Sequence, residues 1–152
     1  MDSSEDISDS IGDKGPYRTA ISLRIRHPSL PPDVMTKGLG FNPELCHSAG
    51  SRREAPSGKR LHGVYPETFW LYSFPFNCEM EVEECIENAI TALMSKEIFL
   101  RETIASGGSA ELFFGVFLRK NAGIEIDRRL LGRVADLGLN LSFDIYVPDG
   151  VD

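Results

Sequence analysis

The sequence has little of what membrane, secreted and redox proteins need. None of its apolar runs approaches the roughly 20 residues of a membrane span. Its three cysteines are an odd number without a CxxC pair, so reduced thiols are expected. Residues 1–14 lack the basic segment and apolar core of a secretory signal. We therefore predict a cytoplasmic protein without membrane association.

Basic residues are also scarce. Sixteen Lys and Arg stand against 23 Asp and Glu, which gives a formal net charge of −7. Because nucleic-acid binding usually needs a basic surface, we predict no nucleic-acid partner. The 152 residues, 41% of them hydrophobic, suit one globular domain. We expect a disordered, acidic and Ser-rich tail over residues 1–16 and a single α+β domain over residues 17–152.

Common catalytic motifs are missing as well, since no GxGxxG, Walker, GxSxG or HExxH pattern occurs. Cys46 and His47 are adjacent, but sequence neighbours seldom meet in catalytic geometry. The glutamates of residues 79–87 could hold a cation, although a solvated acidic face favoured by the helix dipole is the simpler interpretation. We predict no catalytic residue, metal ligand or cofactor, and we favour a protein that is not an enzyme.

The clearest pattern lies in the last third of the chain. Residues 112–118 form an aromatic-rich apolar run that suits a strand buried on both faces. Asp127 stands at a helix N-cap position, apolar residues at helical spacing follow, and Gly138 ends the helix. Residues 141–146 then alternate in polarity as a strand does. This segment is predicted to be strand, helix and strand.

A similar pattern occurs near the other end of the chain. Residues 21–26 alternate as a half-buried strand, Asp33 stands as a cap, and Gly40 ends a short helix. A hairpin with strands over residues 61–65 and 68–74, and a long helix for which Asn77 is a candidate cap, separate the two copies. The element order β-α-β-β-α-β-α-β begins with a ferredoxin-like βαββαβ unit. We predict a ferredoxin-like core extended by a C-terminal αβ unit, with a mainly antiparallel sheet and helices packed on one face.

One predicted strand, residues 68–74, is rich in aromatic residues and contains the only tryptophan, Trp70. Alternation places Trp70, Tyr72 and Phe74 on one face and Phe69, Leu71 and Ser73 on the other. Core packing is the simpler interpretation for either set alone. Because both faces are largely apolar, one must pack on helices, and the other needs cover from a loop, a second protomer or a ligand.

Residues 42–60 are rich in Gly, Pro, Ser and charge, and they are predicted to form one long loop. Unstructured loops of that length are uncommon in compact domains and are often functional. This loop contains Arg52, Arg53, Lys59 and Arg60, and His62 follows it. Arginine side chains suit phosphate or carboxylate groups. The alternative is a loop that its charges merely keep solvated.

Four segments form a recognisable set: the strand of residues 17–25, Leu-Gly-Phe-Asn-Pro at residues 39–43, the Trp70 strand, and the Leu-Gly-Leu of residues 137–139 ahead of Asp-Ile-Tyr at 144–146. In these segments the chain resembles the bacterial family DUF4279, over roughly residues 17–147. That family has no assigned activity, so no catalytic residue is implied. Some members are thought to lie near toxin-system genes, which implies an immunity-type or binding role.

Two functional hypotheses follow. The first is a non-enzymatic protein-binding module, whose partner is another protein or a second copy of the chain. The immunity-type role that the resemblance implies is one form of this hypothesis. The residues expected to bind are Trp70, Tyr72, Tyr65, Arg52, Arg53 and His62. The second is a small-ligand or anion-binding protein, or an unrecognised enzyme, with a pocket under the loop of residues 42–60.

Overall fold

The computed structural model describes residues 14–149, so most of the tail expected over residues 1–16 lies outside the described part. The strands are β1 (Tyr17–His27), β2 (Leu45–His47), β3 (Arg52–Glu54), β4 (Arg60–Val64), β5 (Thr68–Ser73), β6 (Ser109–Leu118) and β7 (Leu139–Tyr146). The helices are α1 (Pro32–Leu39), α2 (Val82–Leu93), α3 (Glu97–Ala105) and α4 (Arg128–Asp136), and a 3₁₀ turn, Met94–Lys96, joins α2 to α3. Within residues 14–149, no helix has the length and apolar character needed to cross a membrane.

Five of the strands form one sheet in the order β2-β5-β1-β6-β7. The central strand β1 runs antiparallel to both β5 and β6, and β5 runs antiparallel to β2. The last strand, β7, runs parallel to β6, as expected after the α4 crossover. The fold is therefore α+β with a mainly antiparallel, mixed sheet. The strands predicted at the two ends of the chain are neighbours, with Ile21 opposite Phe114.

The two faces of the sheet differ in burial. On one face Ile21, Leu23 and Ile25 of β1 are buried together with Leu112 and Phe114 of β6. Side chains from all the helices join this single core cluster, including Met35, Ile86, Leu100 and Leu130. On the other face the β1 residues Arg18, Ala20 and Arg24 remain exposed or half-buried. The helices therefore cover one face, and we call the other the open face.

Three of the predicted helix boundaries are confirmed. The Asp127 carboxylate caps α4 by accepting a hydrogen bond from the Leu130 backbone N–H at 2.8 Å. Gly138 follows α4 with φ of 75°, and Gly40 follows α1 with φ of 77°. Only glycine adopts such left-handed backbone without strain, which is why both helices end there.

Two other predicted caps are wrong. Pro31 is the N-cap of α1, and Asp33 lies inside its first turn without a capping bond. Proline preset to a helical φ can begin a helix, so no side-chain cap is needed there. Glu81 is the N-cap of α2, while the Asn77 side chain accepts the backbone N–H of Glu79 at 2.9 Å, in the loop before the helix.

The prediction of one long loop over residues 42–60 is also wrong. That segment contains β2 and β3, and β3 pairs with β4 in a two-stranded sheet. The Gly50 N–H donates to the Tyr65 carbonyl at 2.8 Å, so this hairpin continues the pairing of β2 with β5. Every residue of β3 and β4 is exposed. We call residues 51–65 the hairpin arm. Neither face of the arm is buried, so its sequence lacks the alternation of a half-buried strand. β4 matches the strand predicted over residues 61–65, but it pairs with β3, and β2 takes the place in the main sheet that was expected for it.

Candidate functional site

The two aromatic residues predicted to bind a partner through the β5 strand lie on its helix-covered side. Trp70 is 0% exposed, and its indole N–H donates to Thr36 Oγ1 of α1 at 3.0 Å. Tyr72 is half-buried and stacks on Phe41, with ring centroids 4.4 Å apart. The structure therefore places Trp70 in the core, where its ring contacts no solvent, and gives Tyr72 a mainly packing position.

The other four predicted binding residues lie on or beside the hairpin arm. Tyr65 stacks on His47 with ring centroids 3.5 Å apart. Arg53 donates to the His62 carbonyl at 3.4 Å, so these two share one part of the arm. Arg52 lies beside Tyr65 in the lining of a cleft. The structure thus groups the arm residues with one another and apart from Trp70.

That cleft, of about 710 Å³, lies between β2 and the hairpin arm. It is lined by Leu45, Cys46, His47, Ser51, Arg52, Glu54, Ala55, Pro56 and Tyr65. Burial lowers the pKa of His47 below its usual value, and this effect outweighs the opposing influence of nearby Glu67. A neutral imidazole and the Arg52 guanidinium therefore face the cleft. Arg53 and His62 are not among its lining residues.

Three arginines of β1 lie over aromatic rings on the open face. The distances from guanidinium carbon to ring centroid are 4.6 Å for Arg18 and Phe117, 3.6 Å for Arg24 and Phe113, and 5.0 Å for Arg26 and Phe69. The rings come from both neighbours of β1, because Phe113 and Phe117 belong to β6 and Phe69 to β5. Such contacts hold a guanidinium flat and leave its edge available to a ligand.

These arginines differ in their charge partners. Arg26 lies 3.4 Å from a Glu111 carboxylate oxygen and 3.8 Å from one of Glu67, so its charge is balanced. Arg24, nearer the middle of β1, forms no ion pair with any carboxylate of residues 14–149, and its buried Nε has no hydrogen-bond partner there. Arg18 forms no ion pair there either, but of the three arginines only Arg24 has a buried nitrogen without a partner among these residues. Arg24 is therefore the cation of this face that a carboxylate from outside would best complement.

Beside Arg24 the open face is concave. The floor of this hollow, of about 300 Å³, is formed by the small residues Ala20, Ser22, Ser73 and Gly115. Phe113, Phe117 and Tyr146 stand on one side, and Glu44, Leu45 and Leu71 on the other. Tyr146 stacks on Phe117 with ring centroids 4.8 Å apart. The hollow thus combines largely apolar walls with two charged groups, the Arg24 guanidinium and the Glu44 carboxylate, which accepts a hydrogen bond from Ser73 Oγ.

The sequence prediction found only part of this surface: it expected one face of β5 to need cover, but it placed the binding residues on the Trp70 face and missed the contribution of β1 and β6. It treated residues 112–118 as a strand buried on both faces, but Phe113 and Phe117 are only half-buried. It also assigned the polar face of β1 to solvent. The available signal was the regular placement of arginine on that face, which matters once β1 is known to be the central strand.

Among residues 14–149, no group of three or more His, Cys, Asp or Glu side chains is arranged to hold a metal ion. In the comparison with protein families, the model described as "Domain of unknown function (DUF4279)" matches residues 16–148. Searches of the curated proteins and of the solved structures give no match. The family description states no activity, substrate or partner.

Proposed function

The chain belongs to the DUF4279 family, and we propose that it is a non-enzymatic protein-binding module whose binding surface is the open face of its sheet. The supporting observation is that this face, uncovered by any helix of residues 14–149, combines half-buried aromatic residues with an arginine that lacks a charge partner. Exposed apolar surface of this kind is typical of interaction sites. An immunity-type role, which the family resemblance implies, is one form of such binding.

The partner we propose presents a carboxylate among apolar side chains. Its carboxylate would meet the edge of the Arg24 guanidinium, which stacking on Phe113 already holds in place. Its apolar side chains would fill the hollow between Phe117 and Leu71. Arginine and aromatic residues dominate the binding energy of many protein interfaces, so a small number of contacts here would suffice.

The experiment is affinity capture from the source cell, followed by quantitative mass spectrometry. Arg24→Gln removes the charge, and Ala20→Arg fills the hollow from an exposed position. We expect each variant to recover about 10-fold less partner than the wild type. The matched control is Ile98→Asp on α3, which changes a side chain that is 74% exposed on the helix side.

Circular dichroism spectra of all three variants show whether each remains folded. Equal recovery of the same proteins by the wild type and both open-face variants would contradict the proposal. A loss that the Ile98→Asp variant shares would also contradict it, because a nonspecific effect would then explain the result.

A second candidate function is binding of a small anion in the cleft beneath the hairpin arm. The supporting observation is that Arg52 and His47 line the same cleft. Inorganic phosphate titrated in a calorimeter is the test, with Arg52→Ala as the variant. Lys59→Ala, on the arm but away from the cleft lining, is the control. We expect the heat of binding to disappear in the first variant only; the absence of binding heat in the wild type contradicts this function.

Three further statements accompany the proposal, on the strand arrangement, the cellular location and the class of partner. The order β2-β5-β1-β6, with all three neighbouring pairs antiparallel, supports a ferredoxin-like arrangement of these strands with α1 and α2. Cys46, Cys78 and Cys85 are free thiols, two of them exposed, which supports a reducing, cytoplasmic location. The net charge of −7 supports a protein partner over a nucleic acid.

A further inference from the structure

We propose that the outer edge of β7 is a dimerisation edge, which pairs antiparallel with β7 of a second copy of this chain. β7 is the last strand of the five-stranded sheet and pairs on one side only, with β6. Among residues 14–149 no other strand lies against its outer side. Its eight residues thus offer a row of backbone N–H and C=O groups to another strand.

Natural edge strands usually have features that prevent pairing with other chains, and β7 has few of them. Lysine, proline, bulges or short length commonly keep an edge strand from pairing with other chains. The β7 sequence, LNLSFDIY, contains no lysine, arginine, proline or glycine, and Asp144 is its only charged residue. The opposite edge strand, β2, is only three residues long. Of the two edges of this sheet, only that of β7 is long enough for extensive pairing.

The helix-covered face is also incomplete along β7. Exposure rises toward the carboxyl end of the strand, from 6% at Leu139 to 38% at Phe143 and 56% at Ile145. Val147, just after the strand, is 63% exposed. These side chains lie at the margin of the core, because α4 covers the beginning of β7 and leaves its end uncovered. A second β7 strand alongside would shield them from water.

The occupant that fits is a second copy, because β7 is complementary to itself. Opposed residues of an antiparallel pair share a face, so two-fold pairing must be centred on one residue. Centred on Ser142, the pairing places Leu141 opposite Phe143 and Asp144 opposite Asn140. Centred on Phe143, it places Leu141 opposite Ile145 and Asp144 opposite Ser142. Both registers bring apolar residues together and avoid a facing pair of carboxylates.

The proposal does not depend on the function proposed for the open face, since β7 pairs through its edge. It makes a ten-stranded sheet across the dimer and leaves the hollow around Arg24 accessible in each copy. Loss of dimerisation without loss of partner capture would therefore separate the two proposals.

The test is the molar mass of the full chain, measured by size-exclusion chromatography with light scattering. We expect the wild type at twice the 16.9 kDa chain mass. Ile145→Lys places the charge that natural edges use at a position already 56% exposed, so the monomer fold should tolerate it. We expect this variant to elute as a monomer. Ile98→Lys, at a 74% exposed helix position, is the matched control and should remain a dimer.

A second measurement locates the contact directly. In a chain with Cys46 and Cys78 changed to serine, Ser142→Cys or Phe143→Cys should form an interchain disulfide, whichever is central, while Asn88→Cys on α2 should not. A monomeric wild type overturns the proposal and leaves β7 as an edge for other partners or none. A dimer that survives Ile145→Lys overturns it too, because the contact then lies elsewhere.

Discussion

The His47 side chain shows how one residue joins the sheet to the hairpin arm. Its ring lies nearly parallel to that of Tyr65, at an interplanar angle of 9°, and also contacts Phe69 of β5. Its Nδ1 is buried and finds no hydrogen-bond partner among residues 14–149. Protonation would place a charge between aromatic rings with little water, which explains why the pKa of His47 is lowered.

This lowered pKa predicts a pH dependence of stability. The unfolded chain binds the proton more readily than the folded one, so the contribution of His47 is fully present above its usual pKa of 6.5. It is lost as the pH falls from that value through the folded pKa. We expect the free energy of unfolding, measured in urea, to decline over this range more steeply for the wild type than for His47→Phe, which keeps a ring there. Parallel profiles would contradict the assignment.

The burial of Trp70 shows that alternation along a strand does not tell which of two apolar faces packs on the helices. Alternation along β5 correctly separates Trp70 from Phe69 and Leu71, but both sets are apolar, so composition does not tell which one faces the helices. That choice depends on where α1 lies, since Thr36 of α1 accepts the indole N–H. The contact spans 34 positions of sequence and has no local signature.

At the scale of elements, the two aspartates predicted as caps make a matched pair. Asp127 accepts the Leu130 N–H at 2.8 Å, whereas Asp33 makes no capping bond. We expect Asp127→Ala to lower the free energy of unfolding by about 1 kcal/mol. Asp33→Ala should lose only its smaller interaction with the helix dipole, about 0.5 kcal/mol. Urea denaturation of both variants measures the difference; equal losses would show that the cap bond contributes nothing.

The hairpin arm is an element that the core does not need. All residues of β3 and β4 are exposed, and the Gly50 N–H donates to the Tyr65 carbonyl at 2.8 Å at the base of the arm. Replacing residues 51–64 with Asn-Gly should therefore close a two-residue turn between Gly50 and Tyr65. We expect the free energy of unfolding to change by less than about 1 kcal/mol, measured in urea. Failure to fold would show that the arm supports the sheet.

Prediction of these elements from sequence succeeded where one face is buried. The α4 boundaries followed from Asp127 and Gly138, and β1 followed from its alternation, because burial on one face imposes a period of two. The arm has no buried face, and β3, which lies within the segment predicted as a loop, shows no such pattern. The contact between Arg24 and Phe113 on the open face could not be predicted either. These residues lie 89 positions apart in the chain and meet only through the pairing of β1 with β6.

At the scale of the whole molecule, the protection of backbone amides from hydrogen exchange should decrease from the centre of the sheet to its edges. β1 is paired on both sides, with β5 and β6, and all of its inward side chains are buried. The two strands of the arm pair only with each other, and all their residues are exposed. β7 is paired on one side only. Backbone amides open with free energies that follow such differences in burial and pairing.

Hydrogen exchange measured by mass spectrometry therefore gives the last prediction. We expect amides of residues 19–26 to exchange slowest and those of residues 52–64 to exchange fastest. In a dimer formed through β7, outward-facing amides of residues 140–146 should also be protected, and dilution or Ile145→Lys should release them while β1 stays protected. If β7 exchanges at the same rate in the wild type and in that variant at every concentration, its edge is not paired. If β1 exchanges as fast as the arm, the sheet order itself is wrong, because a central strand can open only when its two neighbours separate.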